Sequence, residues 1–146
     1  NWTGTLVEIN ESYKSLYKDN RKAFVYPCGF KNVNGTTNIN DIIATTNSTE
    51  IDYLSLDIDG DEEILITSID FNKYSFTILD IEHDLYRPKM LRRRNNIVSH
   101  LEKNGYSYLI SNAVDDFFVK NSFLEKAKAN LNNEYGYNLT EILNIK

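Results

Sequence analysis

The sequence predicts an α/β fold whose sheet is mostly parallel with an antiparallel edge. Three observations lead there. Strand-like and helix-like segments alternate along most of the 146 residues, the order that lays helices over parallel strands. The segment from Ile51 to Ile58 carries Tyr53, Leu54, Leu56 and Ile58 in a near-continuous apolar run, the pattern of a strand covered on both faces. Two further strand-like segments, Tyr106 to Ser111 and Asp116 to Lys120, close the series through a turn at Asn112 and read as an antiparallel pair.

Thr5 to Ile9 is a short buried strand by its apolar run. Asn10 or Ser12 can cap a helix reaching about Asp19, with Tyr13, Leu16 and Tyr17 on its apolar face. Ala23 to Tyr26 is a second strand, stopped by Pro27. Phe30 to Asn38 is loop, marked by the Asn34-Gly35 turn signal. Ile39 to Ala44 is a short helix, and Thr45 to Glu50 a polar linker. After the Ile51 strand comes a helix over Glu62 to Ser68, then a strand from Tyr74 to Ile81. Pro88 opens a helix running to Asn104, with Leu91, Ile97, Val98 and Leu101 facing inward and Gly105 as its left-handed terminator. The polar remainder is helical, with a last segment from Leu139 to Ile145. The expected division is an α/β domain over residues 1–126 and a polar extension over 127–146.

Composition narrows the classes. Hydrophobic residues make up 41% and charged residues 25%, ordinary for a globular chain. The formal net charge of −5 speaks against a nucleic-acid partner. Arg92-Arg93-Arg94 is a lone basic run on a helix and reads as a solvated face. No apolar stretch approaches membrane-span length, so no membrane partner is expected. No signal peptide precedes the first strand, and the start at Asn1 rather than Met points to residues upstream. The single cysteine, Cys28, allows no disulfide within the chain.

The chemistry-bearing stretch is Asp57-Ile-Asp-Gly-Asp-Glu62. Carboxylates collect where a buried strand runs out, and open parallel sheets bind ligands beyond the carboxyl ends of their strands. Asp59-Gly60 also reads as an ordinary strand-ending turn. An EF-hand is excluded by spacing, because Gly60 falls too early and Ser68 stands where the closing Glu belongs. Asp57, Asp59, Glu82 and His83 end two strands expected to be neighbours. Asp57 or Asp59 is a candidate to position the acceptor hydroxyl or receive its proton, and Glu82 to bind that acceptor. His83, a residue type whose unperturbed pKa lies near neutrality, is a further catalytic candidate, read otherwise as a partly exposed strand-end residue. Carboxylates suit a divalent ion by ligand type, but the signature does not require one and no metal is expected.

These residues, in this order, resemble the FkbM family of S-adenosylmethionine-dependent methyltransferases over roughly Trp2 to Lys120. Trp2-Thr-Gly-Thr-Leu-Val-Glu-Ile-Asn10, with Tyr13, Leu16 and Asn20-Arg21, is similar to the family's second strand and helix. Asp52-Tyr-Leu-Ser-Leu-Asp-Ile-Asp-Gly60 is similar to its fourth-strand signature. Ile69-Asp-Phe71 and Ile81-Glu-His83 resemble the fifth-strand region. Leu101, Gly105-Tyr106 and Asp115-Asp116-Phe117-Phe118-Val119 resemble the family's ending.

The resemblance implies a Rossmann-like methyltransferase sheet, S-adenosylmethionine as cofactor, and O-methylation of a sugar or other small hydroxylated acceptor. It implies that Glu8 accepts hydrogen bonds from the cofactor's ribose; Asn10 and Cys28 are further cofactor-binding candidates, Cys28 reading otherwise as a small packed side chain. Tyr26 and Phe30, beside the Pro27-Cys28-Gly29 turn, are candidates to lie against adenine. One departure stands out. The family begins with a strand and a glycine-rich turn that hold the cofactor's methionine part, and nothing in this sequence supplies them. That first strand is central, between the strands matching Thr5–Ile9 and Leu54–Asp57. Either the chain is part of a longer one, or a partner segment fills the gap, or the flanking strands pair directly. The alternative function is a non-enzymatic scaffold derived from the same fold.

Overall fold

The computed structural model describes residues 3–7, 13, 24–26, 38–58, 60–83 and 90–135. The chain divides into two compact units, one comprising Asn1–Thr49 with Ser68–Asp70, the other Glu50–Thr67 with Phe71–Lys146.

The first unit contains β1 (Thr5–Val7), β2 (Phe24–Tyr26) and α1 (Ile39–Ala44). β1 and β2 pair in parallel, Thr5 opposite Phe24 and Val7 opposite Tyr26. Asn38 caps α1, its side-chain oxygen accepting the amide of Asn40 at 2.9 Å, as short polar side chains do at helix starts. Ile39, Ile42 and Ile43 supply the buried face. Asn40 ties this helix to the 68–70 stretch, donating to the Ser68 carbonyl and accepting from the Asp70 amide. The helix expected after Asn10, the 30–37 loop and the segment from Leu139 to Ile145 lie outside the described residues.

The second unit is an α/β arrangement around an open sheet. Its elements are β3 (Glu50–Leu56), α2 (Glu62–Ser68), β4 (Ser75–Glu82), α3 (Met90–Lys103), β5 (Tyr106–Ser111), β6 (Asp115–Lys120), a 3-10 turn (Asn121–Phe123) and α4 (Leu124–Tyr135). The strand order is β3-β4-β6-β5. β3 and β4 are parallel, so a crossover must join them, and α2 lies within it. β6 runs antiparallel to both β4 and β5. The sheet is thus mixed: β3, β4 and β5 run in one direction, as expected of a mostly parallel sheet, and β6 alone is reversed. The last strand returns between β4 and β5 instead of adding at the edge.

The hairpin forms because Asn112 accepts the amides of Val114 and Asp115 at 2.7 Å each, an Asx-type turn. Gly105 ends α3 with φ +87°, the left-handed conformation that glycine adopts without steric cost. The core is built on Ile66, Phe76, Leu79, Leu101 and Phe118, each at most 1% exposed. Phe71 packs edge-on to Phe76 and Tyr106, and the Tyr106 hydroxyl accepts the buried Phe76 amide at 2.9 Å.

Three expectations are corrected. Leu91 is 60% exposed while Ile97 is 3% exposed; six residues at roughly 100° each set it well round the helix from Ile97. β3 is not covered on both faces: Leu56 alone in it is buried, Tyr53 is 42% exposed, and Asp52 and Ser55 are exposed. The reason is its position at the end of the strand order. The three arginines of α3 are not a solvated face. Arg92 is exposed, but Arg93 is buried and Arg94 half-buried, because Arg93 shares the i, i+4, i+8 face of Ile97 and Leu101 and both inner arginines meet carboxylates.

Candidate functional site

The turn after β3 is organised from inside the protein by Glu62. This residue is fully buried. Its Oε1 accepts the amides of Ile58 and Gly60, both at 3.1 Å. Its Oε2 lies 2.9 Å from Nη1 of Arg93, and the same Nη1 donates to the Gly60 carbonyl at 2.8 Å. Gly60 has φ +132°, a conformation that L side chains rarely adopt. A buried ion pair therefore fixes a turn that only glycine fits well, with the exposed Asp57 and Asp61 on either side of it.

A second cluster lies across β3 and β4. Ser55 stands opposite Asp80 in the parallel register. Tyr53, two residues earlier on the same face of the strand, donates its hydroxyl to Asp80 Oδ2, and the Ser55 hydroxyl reaches the same oxygen at 3.4 Å. Burial, with the hydrogen bond to Asp80 and that carboxylate's charge adding to it, pushes the Tyr53 phenol up to about 12. Burial raises Asp80 above the usual carboxylate range; the hydroxyls of Tyr53 and Ser55 pull it back, while the charges of Asp115 and Asp57 push it further up. Asp80 Oδ1 is buried and accepts no hydrogen bond among the described residues. Glu82 is half-buried and faces Asp115 across the β4–β6 pairing. The carboxyl end of β3 and β4 is accordingly acidic, with Asp57 beside Asp80.

His83 belongs to a different contact set. It is 5% exposed. Its amide donates to the Val114 carbonyl at 2.8 Å, and its Nε2 lies 3.2 Å from the Ser111 hydroxyl and 3.5 Å from the Asn112 carbonyl. The imidazole is thus held against the β5–β6 turn. Further along the hairpin, Asp116 is 2% exposed and takes both arms of Arg94, Nε at 2.5 Å and Nη2 at 2.8 Å. That hydrogen bonding holds the Arg94 guanidinium above its ordinary pKa.

Of the residues singled out from the sequence, Asp57 follows the end of β3 and Glu82 ends the neighbouring β4, while the His83 ring contacts Ser111 and Asn112 instead. Asp59, Glu8, Asn10, Cys28 and Phe30 lie outside the described residues, as does the side chain of Tyr26. Sequence reasoning missed the roles of Glu62, Arg93, Tyr53 and Asp80. The signal for Arg93 was present in its spacing to Ile97 and Leu101. The signal for Tyr53 and Ser55 was their shared parity along β3, which puts both on the face of Asp80. Among the described residues no group of three or more His, Cys, Asp or Glu is arranged to hold a metal ion, and no helix is long and apolar enough to cross a membrane. No protein-family model matches the chain, and no curated protein or solved structure matches it.

Proposed function

We propose that this chain is an S-adenosylmethionine-dependent methyltransferase domain of the FkbM type, or a fragment of one, acting on a hydroxyl of a sugar or other small acceptor. The observation that carries the reading is the way the strands divide. In the family's sheet the first strand is central, flanked by the strands that here are β1 and β3. Removing it leaves a parallel pair on one side and the remaining strands on the other. The described strands form those two sheets, β1-β2 and β3-β4-β6-β5, with β3 at the end of its order. Direct pairing of the flanking strands is not among the described pairings.

In this reading the cofactor supplies an electrophilic methyl group on a sulfonium. Glu8 holds its ribose hydroxyls, with Asn10 and Cys28 adjoining it. The fit on the described side rests on charge, since exposed Asp57 and the carboxylates of β4 suit a cationic sulfonium and a hydroxyl that must lose a proton. Asp57 or Asp59 orients the acceptor hydroxyl or takes its proton as the methyl group leaves the sulfonium. Glu82 accepts a hydrogen bond from the acceptor. His83, gripped by Ser111 and Asn112, braces the hairpin wall of the pocket. The reading requires a strand with a glycine-rich turn, from whichever segment supplies it.

The test is transfer itself. The full-length gene product is incubated with methyl-labelled S-adenosylmethionine and a panel of simple sugars and glycosides, and label in the acceptor is counted. Transfer above a heat-inactivated control supports the reading. A folded protein that transfers nothing and ignores the cofactor favours the scaffold alternative.

A further inference from the structure

We propose that Glu62 closes the turn after β3 to anions, so that the acceptor site selects uncharged or cationic hydroxyl compounds over phosphorylated ones; this deepens the reading above and rests on it for the location of the acceptor. Turns between a strand and the next helix commonly recognise phosphate through backbone amides aimed outward, often with a cation nearby. Here two such amides, of Ile58 and Gly60, aim inward and are both taken by Glu62 Oε1. The guanidinium at the turn is taken as well, since Arg93 faces Glu62 Oε2 and the Gly60 carbonyl. What the turn shows to solvent is the opposite charge, carried by the exposed Asp57 and Asp61. The carboxylates behind it already oppose one another, as the combined push of Asp115 and Asp57 on Asp80 indicates. An incoming phosphate meets carboxylates, with no free amide from Ile58 or Gly60 to offset them, whereas a neutral hydroxyl donates to them directly.

The deciding experiment reads the turn without any reaction. Amide resonances of Ile58 and Gly60 are followed while inorganic phosphate is added. The wild type should show no saturable shift at either amide. Glu62→Ala frees both amides and the Arg93 guanidinium, and should bind phosphate there at least about tenfold more tightly. Glu62→Gln keeps an oxygen on the two amides but gives up the carboxylate facing Arg93, so it should bind phosphate there more tightly than the wild type and less tightly than the alanine variant. Where the alanine variant folds poorly, a folded glutamine variant that gains nothing overturns the proposal. Saturable phosphate binding at these amides in the wild type overturns the proposal, as does an alanine variant that folds and gains nothing.

A second arm uses the full chain with S-adenosylmethionine and matched acceptors: methyl glucoside, glucosamine and glucose 6-phosphate. The first two should be methylated at least about tenfold faster than the third. Preference for glucose 6-phosphate overturns the selectivity inference while leaving the methyltransferase reading standing. Transfer to none of the three counts against the methyltransferase reading, and the phosphate titration still decides the role of Glu62.

Discussion

Replacing Glu62 by alanine removes three interactions at once: the acceptor of two backbone amides and the partner of Arg93. Glu62 is fully buried and the Arg93 side chain is 10% exposed, so the guanidinium left behind cannot simply turn to water. Removing one partner of such a pair typically costs about 3–5 kcal/mol, a large part of the roughly 5–15 kcal/mol that holds a domain together. With a urea slope of roughly 2 kcal/mol/M, the midpoint should fall by about 1.5–2.5 M. Glu62→Gln keeps the acceptor for both amides and should lose less, about 1–3 kcal/mol. Arg93→Met leaves a buried carboxylate that still has two amide donors and should fall between. The double variant Glu62→Gln/Arg93→Met strands no charge, so its loss should be smaller than the sum by at least about 1 kcal/mol. Urea unfolding followed by circular dichroism measures all four. An alanine variant within about 1 kcal/mol of wild type, or strict additivity in the double variant, would refute the idea that this pair holds the turn.

Three further predictions follow from the same geometry and the same reading. The raised Tyr53 phenol adds stability that is complete below pH 10, its unfolded value, and is lost as pH rises through its folded value of about 12. Tyr53 is 42% exposed, so screening reduces the nominal ~2.7 kcal/mol for two pKa units to about 1 kcal/mol; the stability gap between wild type and Tyr53→Phe should shrink from pH 10 upward, and parallel curves would contradict it. Arg94→Ala should cost about 3 kcal/mol by stranding the buried Asp116, and Arg94→Lys should recover only part of that because an ammonium cannot take both carboxylate oxygens in a fork; thermal denaturation of the two variants is sufficient. Asp59→Asn should keep the thermal midpoint yet lower single-turnover methyl transfer by about a hundredfold, the scale of a lost general base, and wild-type turnover would remove Asp59 from the site.

Local signals in the sequence carried much of the fold. The bounds of α2 and β5 follow from signals a few residues long: the Asp-Gly turn at residue 60 and Gly105 past the end of α3. Ile39–Ala44 is expected as a short helix, and its Asn38 cap emerges only in the structure. The Asn112 hairpin is equally local. What was not legible depends on contacts far apart in sequence. The pairing of β5 with β6 can be read from the turn between them, but not which of the two docks on β4. The run Arg92-Arg93-Arg94 looks uniform as text, yet a helix turns each residue by about 100°, and only the carboxylates of Glu62 and Asp116 decide which guanidinium goes inside. Asp80 looked like one more strand residue because its partners, Tyr53 and Ser55, sit on another strand. Of the acidic stretch, Asp57 was recognised for its position at a strand end, whereas Glu62 was counted among the carboxylates and its inward role went unseen.

The proposed function predicts that the protein holds S-adenosylmethionine, and cofactor binding tests it most directly. Isothermal titration of the full-length gene product with S-adenosylmethionine should give a saturable one-to-one isotherm, with S-adenosylhomocysteine competing for the same site. Glu8→Gln should weaken that binding by at least about tenfold, since it removes a charged acceptor from the ribose hydroxyls. A folded full-length protein that binds neither compound, or whose binding is indifferent to Glu8, would contradict the account.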